Sequence, residues 1–244
     1  MGMALQRFLD HVFPRYCCFC GEHLRQSIFR YLCDACAAQL IPIREPICKR
    51  CGHPLTFDAS CPRCARYTFD FEQLRSAFPI TRYSRQLIHN LKYKNQTHLA
   101  SDLAQLMLCN PLMKDFLQNG ILVPVPLHWR RYFWREYNQS ELLARALAAI
   151  EPSISVRLLL KKAHHTRPQV GLHSQARQQN VKGSFRLNTK IAIDRQAKVV
   201  VIDDVLTTGA TINECCQTLK QNGFQHVYAA TFAQTVRFKN SSLN

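Results

Sequence analysis

The stretch Val199–Thr211 reads VVVIDDVLTTGAT and changes character halfway along. Its first half is a run of apolar, mostly β-branched residues, the pattern of a strand covered on both faces of a parallel sheet. Two carboxylates follow, Asp203 and Asp204, and then the small polar run Thr207, Thr208, Gly209, Ala210 and Thr211. The next segment, TINECCQTLKQNG, has helical spacing with Gly223 as its stop, and HVYAATFA reads as another strand. Strand, helix and strand in that order make a βαβ unit and place the chain in the α/β class.

Ligands of such sheets bind outside the carboxyl ends of the strands, where Asp203, Asp204 and the TTGAT run fall. A helix starting near Thr211 offers unsatisfied N–H groups and the positive end of its dipole, which suits a phosphate. Gly209 lets the backbone come close, and Thr207, Thr208 and Thr211 add hydroxyl donors. No lysine follows the glycine and no G-x-x-x-x-G-K-[ST] occurs, which argues against a nucleoside triphosphatase. Two carboxylates beside the cradle repel a bare triphosphate. They suit a ligand whose hydroxyls lie next to its phosphate, such as a ribose 5-phosphate, with magnesium nearby.

Outward from this unit, strand and helix keep alternating. AFPITRY and GILVPVP read as strands, and SRQLIHNLKYK and HLASDLAQLML as helices. NQSELLARALAAI is a helix with Leu142, Leu143, Ala146, Leu147 and Ile150 on one face.

The 244 residues are enough for one large domain, or for one domain plus a small module. Net charge is +16, and twelve Lys or Arg face three acids between Ile121 and Lys190. That excess favours nucleic acid or phosphorylated small molecules as partners, with simple solubility as the alternative. Gln6, Arg7, Asp10 and His11 interrupt the first apolar residues, so no secretory leader forms, although Leu5, Phe8, Leu9, Val12 and Phe13 keep helical spacing. No segment approaches the roughly 18 apolar residues of a membrane span. The expectation is a cytoplasmic protein.

Eight of the twelve cysteines form four C-x-x-C pairs within the first 64 residues: Cys17/Cys20, Cys33/Cys36, Cys48/Cys51 and Cys61/Cys64. Two such pairs complete one tetrahedral zinc site. Gly21 and Gly52 follow one pair of each set, where a tight knuckle calls for positive φ. Sequential pairing gives two structural zinc ions, and the spacing leaves crossed pairing open. Cys109, Cys215 and Cys216 sit in helical patterns and read as buried small hydrophobes.

Taken together these segments resemble a known family. VVVIDDVLTTGAT resembles the phosphoribosyl-pyrophosphate (PRPP) motif of type I phosphoribosyltransferases. The cysteine pairs, then LVPVPLHWRRYFWREYNQSELLARAL, then TRPQVGLHSQARQQNVKGSF, then the PRPP motif resemble the ComF/GntX competence family over nearly the full length. Where that family usually reads Arg-Gly-Phe-Asn-Gln, this chain has Arg135-Glu136-Tyr137-Asn138-Gln139.

The resemblance implies a type I phosphoribosyltransferase-like parallel-sheet core (67–244) behind an N-terminal helix and double zinc-ribbon module (1–66). It assigns PRPP to Asp203, Asp204, Thr207, Thr208, Gly209, Ala210 and Thr211. It assigns pyrophosphate to Leu127, His128, Trp129, Arg130 and Arg131, with Lys92 a further candidate. A mobile loop would carry Arg167, Gln169, Arg177, Asn180 and Lys182. Catalytic roles fall to Asp203, Asp204, Arg167 and Arg177, with magnesium accompanying PRPP. The reaction implied is displacement of pyrophosphate from PRPP by an acceptor that the residues do not identify. The cellular role implied is DNA uptake in natural transformation, on incoming single-stranded DNA, with a DNA-uptake helicase as partner by family analogy. The competing reading is a single-stranded DNA-binding adaptor that uses the PRPP site only to sense ligand. Trp129, Tyr132, Phe133 and Trp134 among the arginines fit stacking on bases in that case, or ordinary packing.

Overall fold

The computed structural model describes residues 14–24, 27–56, 60–94, 96–127, 137–163 and 183–236. Seven strands are present among them: β1 (Leu74–Pro79), β2 (Ile121–Pro124), β3 (Ser155–Val156), β4 (Leu160–Lys162), β5 (Phe185–Leu187), β6 (Val199–Leu206) and β7 (Val227–Gln234). The helices are α1 (Asp34–Ala37), α2 (Arg82–Tyr93), α3 (Leu99–Leu108), α4 (Pro111–Leu117), α5 (Gln139–Ile150) and α6 (Ala210–Gln221). Five strands form one parallel sheet in the order β1-β7-β6-β2-β3, and β4 and β5 pair antiparallel as a separate ribbon. The α/β reading therefore holds, with the VVVID strand near the centre of the sheet.

Alternation of side chains along the strands divides the core in two. Val200 and Ile202 of β6, with Leu122 and Ala230, face a layer made by α2, α3, α4 and α5. Val199 and Val201, with Val123 and Ala229, face α6, whose Ile212, Cys215, Cys216 and Leu219 are buried. Both faces are apolar because both are covered, which is why β6 shows no polar alternation before Asp203.

Several boundaries differ from the sequence reading. The strand in AFPITRY ends at Pro79, because the Thr81 side chain accepts the Ser84 N–H and caps α2. On α5 the buried stripe is Ser140, Leu143, Ala144 and Leu147, while Ile150 is exposed. Cys215 and Cys216 are buried as expected, but Cys109 is exposed at the carboxyl end of α3.

The two cysteine clusters dock on opposite faces of the sheet. Leu24, Phe29, Leu32 and Leu40 of the first join the helical layer. Its backbone is gripped by Asp102 of α3, whose two oxygens accept the Arg30 N–H at 2.8 Å and the Tyr31 N–H at 2.7 Å. The second shares a core with α6 through Cys51, Phe69 and Phe71. Apolar packing, against the helical layer for the first cluster and against α6 and the sheet for the second, thus supports both, beyond any contribution from metal. Among the described residues no helix is long and apolar enough to cross a membrane.

Candidate active site and metal centres

The site lies at the carboxyl end of β6. Asp203 and Asp204 are its fifth and sixth residues, and Thr207 to Gly209 link it to α6, which starts at Ala210. Gly209 has φ +86°, and a Cβ built on it would stand 2.9 Å from Cε1 of Phe69, so both backbone and space call for glycine. The Thr208 hydroxyl accepts the Ala210 N–H at 3.3 Å, and Gly209 O accepts the Asn213 N–H at 2.8 Å. Beside the loop is a cavity of about 160 Å³ lined by Thr68, Phe69, Thr208, Gly209, Ala210, Asn213, Glu214 and Gln217. Thr207 is exposed, and Thr208, Ala210 and Thr211 are half-buried.

The two acids have different surroundings. Asp204 is buried at 2% exposure and forms an ion pair with Lys92, from the last turn of α2. Asp203 Oδ1 accepts the Ser140 hydroxyl at 2.7 Å and the Asp204 N–H at 2.9 Å. Ser140 is held by the start of α5, where the Asn138 side chain accepts the Ser140 N–H and donates to Val125 O at 3.0 Å, just past β2. The neighbouring Tyr137 hydroxyl donates to Leu91 O on α2. The start of α5 and the end of α2 therefore converge on the acidic pair.

Burial, and then the charge of Asp204, push the Asp203 carboxyl up to about 7, against the opposing pull of Lys92 and the Ser140 hydroxyl. An acid whose folded pKa is raised holds its proton where the unfolded chain has lost it, so stability falls as pH rises from about 4 to about 7. Thermal melts of the wild type and Asp203→Asn isolate this group. We expect the wild type to lose Tm relative to the variant between about pH 4 and about pH 7 and no further above it, and a constant difference across that range would contradict the assignment.

Of the pyrophosphate candidates, Leu127 lies just after β2 and Lys92 is engaged with Asp204, while His128, Trp129, Arg130 and Arg131 lie outside the described residues. So do Arg167, Gln169, Arg177, Asn180 and Lys182 of the expected mobile loop. The two ends of that segment are strands β4 and β5, with Leu160 opposite Leu187 and Lys162 opposite Phe185. Gly183, at its return, donates its N–H to Glu214 of α6 at 2.5 Å. Sequence reasoning missed Ser140, although a serine two residues after a helix-capping asparagine was visible in NQSELL.

The cysteines gather in sequence order. Cys17, Cys20, Cys33 and Cys36 form one group and Cys48, Cys51, Cys61 and Cys64 the other, with the sulfurs of each within 4.8 Å of one another. Cys20 and Cys33 sulfurs are 3.7 Å apart, Cys48 and Cys64 3.7 Å, and Cys51 and Cys61 3.4 Å. Four thiolates about 2.3 Å from a zinc ion stand roughly 3.8 Å from each other, so both groups fit the metal. Backbone N–H groups also approach the sulfurs, Cys33 N at 3.5 Å from Cys17 Sγ and Cys36 N at 3.4 Å from Cys33 Sγ. Burial raises the Cys17 thiol, but the N–H groups of Cys20, Cys33 and Phe19 outweigh it and bring it down to about 7. Such sites have no open position and are structural.

Fold, acidic pair and cysteine groups together define a double zinc ribbon joined to a phosphoribosyltransferase-type domain. Comparison with protein families agrees: the double zinc ribbon domain matches residues 8–65 and the phosphoribosyl transferase domain residues 140–242. Relatives cover most of the chain. DNA utilization protein YhgH of Salmonella typhimurium is 30% identical over 229 residues, 91% of this chain and 98% of that protein. Competence protein F of Haemophilus influenzae is 29% identical over 203 residues, 80% of this chain and 87% of that protein. Competence protein ComFC of Bacillus subtilis is 26% identical over 213 residues, 79% of each. The chain belongs to the ComF/GntX competence family.

Proposed function

We propose that the protein binds PRPP with magnesium and acts as a phosphoribosyltransferase in DNA uptake, on single-stranded DNA inside the cytoplasm. The observation that carries this reading is the order of groups at the end of β6. Two carboxylates there, one tied to Ser140 and one to Lys92, are followed by a left-handed glycine and the start of α6. The 5-phosphate takes the N–H groups and hydroxyls of Thr207 to Thr211, and the carboxylates accept from the ribose hydroxyls. Both hydrogen bonds that Asp203 accepts among the described residues fall on Oδ1, which favours Oδ2 as the ligand's acceptor.

In the proposed reaction the bond from the anomeric carbon to pyrophosphate breaks, and its electron pair leaves with the pyrophosphate. The acceptor's lone pair forms the new bond and the acceptor loses a proton. Arg130, Arg131, Arg167 and Arg177 stabilise the departing charge, and Asp203 and Asp204 the positive ribose ring. Magnesium supplies further neutralisation of the diphosphate when bound. The functional division runs between residues 66 and 67, with ribbons before and transferase domain after. The names of the relatives, the net charge of +16 and the basic segment 121–190 support DNA as partner, and family analogy alone adds a DNA-uptake helicase partner.

One incubation separates the readings. The protein is mixed with PRPP, magnesium and a single-stranded oligonucleotide, and pyrophosphate release and oligonucleotide mass are followed. Release with a mass gain on the DNA supports transfer. DNA binding that weakens by about 0.7 log units per log unit of salt for each phosphate contact, without release, points to the sensing adaptor instead. Absence of PRPP binding in calorimetry, or binding that survives Asp203→Ala with Asp204→Ala, defeats both.

A further inference from the structure

The second cysteine group sits against the phosphate loop, not at the periphery. Arg63, inside the Cys61–Cys64 knuckle, is only 7% exposed. Its guanidinium donates to Gln234 Oε1 and, at 2.6 Å, to Thr235 O. Gln234, the fully buried last residue of β7, donates its Nε2 to Gly52 O of the other knuckle at 2.7 Å. A Cβ on Gly52 would lie 2.6 Å from Leu74 O, so this knuckle is pressed onto β1 as well. Thr235 in turn donates its N–H to Leu206 O at 2.9 Å, one residue before Thr207.

A second connection runs along the chain leaving Cys64. Phe69 stacks on Phe71 at 4.7 Å, and its ring edge fills the space beside Gly209. The Arg50 side chain, again from a knuckle, donates to Phe69 O. Asp70 exchanges two hydrogen bonds with Asn213 in the first turn of α6, at 2.6 and 2.8 Å. Four thiolates on one divalent ion carry a net charge of about −2, which offsets the buried guanidinium of Arg63 beside them. The first cysteine group has a different anchor, Asp102 of α3 on the opposite face of the sheet.

We infer that the second zinc site belongs to the ligand-binding apparatus: Arg63 and Phe69 are positioning residues that set the conformation of Thr207 to Thr211, so occupancy of this site, unlike the first, controls ribose-phosphate binding. Without the metal the knuckles holding Arg63 and Arg50 lose their shape, and Leu206 and Gly209 lose their supports together. The ligand named here rests on the PRPP reading; the effect on the loop does not.

The test uses the full zinc-loaded chain and compares Arg63→Met, Phe69→Leu, the pair Cys61→Ser/Cys64→Ser and the first-site pair Cys17→Ser/Cys20→Ser. Hydrogen exchange of the amides of residues 207–212 is measured without ligand, and affinity for PRPP with magnesium by calorimetry. We expect Arg63→Met and Phe69→Leu to keep both zinc ions and the protection of β6, while loop exchange rises and affinity falls, each about tenfold. The second-site cysteine pair should do the same or more, and the first-site pair should leave the loop unchanged. Loop exchange unmoved by Arg63→Met, or moved equally by the first-site pair, would overturn the inference. A wild type that does not bind PRPP would overturn the functional reading, while loop exchange would still decide this one. Where the second-site cysteine pair fails to fold, the Arg63 and Phe69 variants carry the test.

Discussion

Lys92→Met should destabilise the protein by about 3 kcal/mol and Asp204→Asn by less, and the double variant by less than the sum. The reason is the environment of the pair. The Asp204 side chain is 3% exposed and that of Lys92 20%, so Lys92→Met leaves the Asp204 carboxylate buried without this cation, while Asp204→Asn leaves the ammonium still facing the charge of Asp203. Removing both leaves an amide and a thioether, which are far cheaper to bury. Urea denaturation of the four proteins, read as a double-mutant cycle, checks it; additive losses would mean that water already screens the pair. The same cycle read by PRPP titration should show no rescue, because in the proposed site Asp204 is needed as a carboxylate. Lys92 then serves the ligand by keeping a second negative charge tolerable beside Asp203.

Gly209→Val should remove ribose-phosphate binding while leaving the sheet folded. Left-handed backbone costs a residue with a Cβ about 1–2 kcal/mol. The new carbon would also meet the Phe69 ring at 2.9 Å, and that ring is buried and stacked on Phe71, so it has little room to yield. Overpacking of that kind adds about 1–3 kcal/mol. The strain falls on the loop whose N–H groups take the phosphate in the proposed site, so binding there should drop by more than about 100-fold. Circular dichroism and calorimetry on one sample separate this from general unfolding. Gly209→Ala should show a smaller loss of the same kind, and wild-type affinity in Gly209→Val would refute the loop's role.

Much of the fold was legible because it is written in local periodicity. The apolar run of β6, the helix from TINECC to Gly223 and the strand after it follow from spacing alone, as does the class. Errors came where a neighbour in space decides. The end of β1 is set by the Thr81 cap, and the burial of α5 is set by which side meets the sheet, which left Ile150 outside and drew Ser140 in. Cys109 reads like Cys215 in a helical pattern, yet one is exposed and the other buried.

The sequence by itself determined that this chain carries four metal-binding knuckles, and that two acids and a glycine turn end a doubly covered strand. Those are properties of residues a few positions apart, and short-range geometry is nearly independent of the rest of the chain. Tertiary structure alone decided that the cysteines pair in sequence order, that Ser140 reaches Asp203 across 63 residues, and that Arg63 reaches Gln234 across 171. Such partners are chosen by how the helices and knuckles close over the sheet, and burial makes each unmatched polar group costly enough to enforce the match. No spacing along the chain encodes that choice.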